Sequence, residues 1–93
     1  MKQLRKKIDQ CDRSLLQTLA ERFRTVKKVG LYKLKNDLPV LQKSRWAEVM
    51  EARLKQARQL HLNDDFVEKL FKLIHKESLK TQKALYRKSG KKS

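Results

Sequence analysis

The sequence of 93 residues is strongly basic, with 25 Lys and Arg against 10 Asp and Glu and a formal net charge of +15. This length allows a single domain, near the lower limit at which a chain buries a useful core alone. One cysteine excludes a disulfide framework within the chain, and no apolar run is long enough to span a membrane. We therefore expect a soluble, cytoplasmic protein, and the charge favours an anionic partner.

The composition predicts an all-α fold. Only two glycines and one proline interrupt the chain, and most other residues are good helix formers. We expect three helices per subunit, one long, one short and one of medium length. They should form a single domain over residues 1–87, followed by a basic disordered tail over residues 88–93.

The first predicted helix runs from about Gln3 to Lys35. Its apolar residues recur at spacings of three, four or seven, which places them on one helical face. They are Leu4, Ile8, Cys11, Leu15, Leu19, Val26 and Val29. The segment Asn36–Pro39 should end this helix, because Asn and Asp favour turns and proline disfavours helix at the residue before it.

Two further helices follow. Ser44 is a plausible N-cap for the second, which should end near Leu60. Asn63 should cap the third, where Asp64 and Asp65 suit the positive end of the helix dipole. The apolar face of the third helix comprises Val67, Leu70, Phe71, Ile74 and Leu85.

The length of the first helix predicts a dimer. Some 33 helical residues span roughly 50 Å, whereas a compact monomer of this size has a diameter of only about 32 Å. Two shorter helices cannot cover so long an apolar stripe. We therefore expect the first helix to overhang its own subunit and to pack against a second copy in a two-fold homodimer.

Polar residues interrupt the apolar faces. Arg22 and Lys33 lie at the centre of the face of the first helix, with Arg5 at its edge; Ser78 and Gln82 lie on the face of the third helix or at its margin. An unpaired buried charge costs several kcal/mol. Each cation could extend outward or pair with an acid such as Asp12. Because acids are few, an anionic ligand is the better interpretation.

Several motifs, in order along the chain, resemble the helical class of chorismate mutases. The resemblance covers nearly the whole chain, from about Leu4 to Gln82. Its motifs are Leu4-Arg5-Lys6-Lys7-Ile8-Asp9 with Asp12, Leu15-Leu16, Leu19-Ala20-Glu21-Arg22, Val29-Gly30 with Lys33, Pro39-Val40, Ser44-Arg45, Phe66-Val67, Leu70-Phe71, Ile74-His75, Glu77-Ser78 and Gln82.

The resemblance implies an intertwined dimer with two shared sites that convert chorismate to prephenate in aromatic amino-acid biosynthesis, without metal or cofactor. It places Arg5 in the site of the partner subunit and assigns the remaining site residues to one chain. These are Arg22, Lys33, Arg45, Ser78 and Gln82. The implied roles are carboxylate binding by Arg5, Arg22 and Ser78, donation to the ether oxygen by Lys33 and Gln82, and a reinforced positive field from Arg45.

One position departs from the family pattern. Trp46 stands where the family usually has a glutamate that meets the substrate hydroxyl, and an indole cannot accept such a bond. The hydroxyl could instead meet the backbone near Gln42, which replaces a frequent aspartate.

Two other functions remain open at this point. An isochorismate pyruvate lyase would share the fold and most of the cations. A basic helical protein could bind nucleic acid through phosphate contacts, although no helix-turn-helix or zinc pattern supports specific binding. His61 and His75 lack partners at metal-ligand spacing, so we expect solvated or capping roles for them.

Overall fold

A computed structural model describes residues 1–92 of the chain. Within these residues it contains three α-helices and no β-strand: α1 (Lys2–Lys35), α2 (Lys43–Gln59) and α3 (Asp64–Ser89). The helices have 34, 17 and 26 residues. The predicted all-α fold, with a long, a short and a medium helix, is therefore confirmed. None of these helices is both long and apolar enough to cross a membrane.

The connection between α1 and α2 is fixed by tertiary contacts. Asn36 caps α1, and Asp37 turns the chain at a φ of 54°. Val40 is then inserted into the core with 1% of its surface exposed. The predicted N-cap, Ser44, is wrong: Gln42 is the cap, and its carbonyl accepts the first helical bond. Val40 is buried two residues before Gln42, which is extended with φ −118° and ψ 93°, so the helix begins at Lys43 and includes Ser44.

The ends of α3 follow local capping chemistry. Asn63 caps its start as predicted, since its side-chain oxygen accepts a hydrogen bond from the Phe66 amide at 2.9 Å. At the other end Gly90 adopts the left-handed conformation, and the amides of Gly90 and Lys91 donate to the carbonyls of Arg87 and Tyr86. The helix thus continues through Lys88 and Ser89, the first residues of the predicted tail, while Ser93 lies outside the described residues.

The core lies along one face of α3, which packs against both α1 and α2. Val67 and Ile74 are buried as predicted, whereas the other predicted members of this face, Leu70, Phe71 and Leu85, are half-buried. The Tyr86 ring was not predicted in the core but is fully buried, and its hydroxyl donates to the Leu38 carbonyl. The same face of α3 therefore holds α1 and the loop that follows it.

The amino-terminal half of α1 has no such cover within the chain. Leu4, Ile8 and Leu15 are 66%, 59% and 56% exposed, and every residue from Met1 to Thr18 is exposed. The molecule measures 54 × 25 × 16 Å because this half of α1 projects from the rest. An apolar stripe of this length is unusual on the surface of a monomer.

Gly30 allows α1 and α3 to approach closely, and replacing it by alanine should destabilise the fold. An added Cβ would lie 2.8 Å from Gln82 Cγ and 3.0 Å from Leu85 Cδ1. Overpacking costs about 1–3 kcal/mol, against a gain of about 1 kcal/mol in helix propensity. We expect Gly30→Ala to lower the free energy of unfolding by about 1 kcal/mol, measured by urea denaturation.

A double-mutant cycle provides the control. If the clash with Gln82 causes the loss, Gly30→Ala should cost less in a Gln82→Ala background than in the wild type. Equal costs in both backgrounds would contradict this explanation.

Candidate active site

A cavity of about 340 Å³ opens between α1, α3 and the start of α2. It brings together all but one of the predicted site residues. They are Arg22, Lys33, Gln42, Arg45, Trp46, Ser78 and Gln82. A larger depression of about 690 Å³ lies elsewhere, but residues of α3 alone line it. The smaller cavity is formed by all three helices and gathers the predicted polar residues, so it is the candidate site.

Lys33 is held at the floor of this cavity by two oxygen acceptors. Its Nζ donates to the Val40 carbonyl at 2.7 Å and to Gln82 Oε1 at 2.8 Å. An ammonium has three hydrogens, so one donor remains for a ligand. Burial lowers the pKa of Lys33 from its ordinary value. The amine is therefore fixed in position and partly withdrawn from water.

Gln82 connects the two helices behind Lys33. It is only 4% exposed, and its Nε2 donates to the Val26 carbonyl at 2.9 Å while its Oε1 accepts from Lys33. The space for this side chain exists because Gly30 has no Cβ. The amide thus has a defined orientation, with a second N–H hydrogen still available.

Arg22 and Ser78 form the second polar pair of the cavity. The Arg22 Nη1 donates to Ser78 Oγ at 3.4 Å, and Ser78 Oγ donates to the Ile74 carbonyl at 2.8 Å. Burial lowers the pKa of Arg22, and the charge of Arg53 lowers it further. The guanidinium keeps most of its five donors free for another partner.

No acid neutralises the two central cations within residues 1–92. The ion pairs of this part of the chain involve neither Arg22 nor Lys33, and Asp12 does not pair with either cation. Two half-buried positive charges without a counter-charge favour an anion as the ligand. This removes the alternative in which Asp12 neutralises them.

The start of α2 contributes the outer wall of the cavity. Gln42 lies at the N-cap without a side-chain cap bond. The Arg45 side chain is 66% exposed, and its Nη1 lies 3.5 Å from Glu48 Oε2. Arg45 therefore adds to the positive field at the rim of the cavity, but its guanidinium is not fixed within the cavity. Trp46 is half-buried and faces α3.

His75 also lines this cavity with its ring half-buried, a position that the prediction of a solvated or capping role did not include. Its ring stacks on the Trp46 indole with 3.8 Å between ring centroids and 10° between planes. Burial lowers the pKa of His75 below its ordinary value of 6.5, and the charges of Lys33 and Arg22 lower it further. Its spacing from Ser78 and Gln82 on one helical face was the signal that could have identified it.

Arg5 is the one predicted site residue outside the cavity. It is exposed in the first turns of α1, roughly 26 Å along the helix from Arg22 at 1.5 Å per residue. An arginine side chain cannot bridge such a distance, so Arg5 does not serve the site of its own chain.

A three-helix chain with an acid-free cationic cavity is suited to a small anionic ligand. The chain matches the family described as chorismate mutase type II over residues 4–83, and it belongs to that family. It is 37% identical over 82 residues to the bifunctional chorismate mutase/prephenate dehydratase of Escherichia coli (strain K12), covering 88% of this chain and 21% of the relative.

Two further relatives show similar coverage. The protein of the same name from Buchnera aphidicola subsp. Schizaphis graminum is 32% identical over 84 residues, covering 90% of this chain and 22% of the relative. The T-protein of Haemophilus influenzae is 32% identical over 78 residues, covering 84% and 21%. The chain thus spans about a fifth of the length of these relatives.

The lowered pKa of His75 predicts a defined pH dependence of stability. An unfolded chain takes up the His75 proton near pH 6.5, the ordinary value, while the folded chain still keeps the ring neutral. This contribution to stability is therefore complete above the unfolded pKa and is lost as the pH falls through the folded pKa. The free energy of unfolding should fall more steeply between pH 7.5 and about pH 5 in the wild type than in His75→Phe. Urea denaturation at equal protein concentration measures the difference; identical slopes would disprove it.

Proposed function

We propose that this chain catalyses the rearrangement of chorismate to prephenate, a step of aromatic amino-acid biosynthesis. The observation that carries the proposal is the acid-free cluster of Arg22, Lys33, Ser78 and Gln82 in one cavity. Chorismate carries two carboxylates and an ether oxygen, so it offers acceptors to these donors. The relatives whose names include chorismate mutase support the same reaction.

To catalyse this rearrangement, the protein needs only to position the substrate and to place positive charge and hydrogen-bond donors near it. In one concerted step the ether C–O bond breaks, a C–C bond forms between the enolpyruvyl arm and the ring, and the double bonds shift. No nucleophile, metal or general base takes part. A protein accelerates such a step by holding the arm over the ring and by placing donors where the ether oxygen gains negative charge.

Each residue of the cluster has a donor suited to that task. The third Nζ hydrogen of Lys33 and the second Nε2 hydrogen of Gln82 would donate to the ether oxygen. The forked guanidinium of Arg22 would bind a carboxylate, with Ser78 beside it. Arg45, exposed at the rim, would add positive potential. The hydrogen bonds of Lys33 and Gln82 to Val40 and Val26 keep these donors in place before the substrate arrives.

We further propose that the site is completed in a homodimer. The exposed apolar half of α1 supports this assembly, because a second copy would cover Leu4, Ile8 and Leu15. The same half carries Arg5 away from its own cavity. In a two-fold dimer Arg5 of each chain would enter the partner's site and clamp the second carboxylate.

An assay with two substrates tests the reaction. The purified protein should consume chorismate and form prephenate, with no loss of pyruvate from isochorismate. Lysis of isochorismate without conversion of chorismate would favour the pyruvate lyase on the same fold. Conversion of neither substrate would refute the proposal.

Complementation between inactive variants tests the shared site. Arg5→Ala and Lys33→Ala dimers should each lose at least a hundredfold in rate, since a charge-assisted contact to a transition state contributes roughly 3 kcal/mol. In a mixed dimer one site carries both defects, while the other takes Arg5 from one chain and Lys33 from the other. That intact site should restore up to about half of the wild-type activity per dimer.

The experiment is to refold the two variants together and measure chorismate consumption. Arg22→Ala with Lys33→Ala is the matched control, because both residues serve the cavity of their own chain. Every site in that mixed dimer lacks one cation, so activity should not return. Arg5 does not act across the interface if its mixed dimers form and remain as inactive as this control.

A further inference from the structure

The stacked pair of Trp46 and His75 has no part in the chemistry proposed above, although both rings line the cavity. Within residues 1–92 no hydrogen bond joins either side chain to another protein group. Neither ring has a polar atom that is both buried and without a partner. Their nitrogens are therefore in contact with solvent and can bond a ligand.

The proposed substrate has one group that the cationic cluster does not match. Its two carboxylates and its ether oxygen are acceptors, which donors can satisfy. Its ring hydroxyl carries the one proton that it can donate, and this proton needs an acceptor. Leaving such a group without a partner in a closed site weakens binding.

Most polar side chains of the cavity cannot supply that acceptor. Lysine, arginine and the indole N–H only donate, which excludes Lys33 and Trp46 together with both arginines. Among the remaining groups, Gln82 Oε1 already accepts from Lys33 and Ser78 Oγ already accepts from Arg22. No carboxylate lines the cavity. Those two oxygens each keep a second lone pair, but the cavity-lining side-chain acceptors that hold no hydrogen bond within residues 1–92 are the His75 ring nitrogen and the Gln42 amide oxygen.

His75 is the better placed of these two. The stack on Trp46 fixes the plane of its ring, whereas Gln42 has no side-chain cap bond to hold it. Burial and the charges of Lys33 and Arg22 lower the pKa of His75. The ring is therefore neutral at physiological pH and keeps one nitrogen lone pair.

We propose that His75, oriented by its stack on Trp46, accepts a hydrogen bond from the ring hydroxyl of the substrate and determines specificity for it. This inference rests on the proposed mutase function. It assigns the hydroxyl to α3 and not to the backbone near Gln42. His75 acts here as a binding residue and takes no part in bond making or breaking.

His75→Phe isolates the acceptor, because phenylalanine can still stack on Trp46 but has no ring nitrogen. The two substrates are chorismate and the analogue in which hydrogen replaces the ring hydroxyl. We expect His75→Phe to lose roughly tenfold in kcat/KM on chorismate and to stay within about twofold of the wild type on the analogue. His75→Leu, which lacks both the nitrogen and the aromatic ring, should show the same selective loss on top of any loss of packing.

The outcomes separate this inference from the function on which it rests. Equal losses on both substrates in either variant would mean that His75 only packs, and would overturn the inference. So would a selective loss in Gln42→Ala that His75→Phe does not show. If the wild type converts neither substrate, the mutase function itself fails. If it converts chorismate and the variants show no selective loss, only the assignment of His75 fails.

Discussion

The hydrogen-bonded path from Val26 through Gln82 to Lys33 and Val40 is the interaction on which the site depends. It joins α1, α3 and the loop before α2 through three bonds of 2.7–2.9 Å. These hydrogen bonds fix the orientation of a cation. Buried polar groups are stable in such an arrangement only when each has a hydrogen-bond partner. Gly30 has no Cβ and so leaves space for the Gln82 side chain between α1 and α3. The close approach of these two helices and the position of Lys33 therefore both depend on Gly30.

The absence of acids from the cavity is as important as the presence of cations. Pairing Lys33 or Arg22 with a carboxylate would satisfy the charge in the folded chain, but it would also compete with an anionic ligand. Within the described residues the acids that form ion pairs do so on the surface, as Asp65 does with Lys69. Desolvation therefore acts on the two cations without compensation, and it lowers the pKa of both. A dianion would relieve that cost, which couples its binding to the stability of the folded chain.

The sequence predicted those features that depend on local patterns. Helical spacing placed Arg22 and Lys33 on an apolar face, and Asn63 identified the start of α3 through its own side chain. The sequence-based prediction failed for features that are determined by contacts between residues far apart in the chain. Val40 is buried just before α2, which begins at Lys43 and not after Ser44, and the buried Tyr86 donates its hydroxyl to a loop carbonyl 48 residues away. No local signal encodes a partner at that distance.

His75 shows why a residue type alone is a poor guide to its role. Considered by itself, a histidine without metal-ligand spacing is usually solvated. Its position relative to Ser78 and Gln82 contained the missing information, since residues three and seven positions apart share a helical face. The contact with Trp46 comes from a different helix and could not be inferred from α3. Trp46 occupies the position at which the resemblance to the family implies a glutamate, so the acceptor missing there and the acceptor that we propose in His75 lie at the same wall of the cavity. Residues in direct contact influence each other's orientation most strongly, and His75 has such a contact with Trp46.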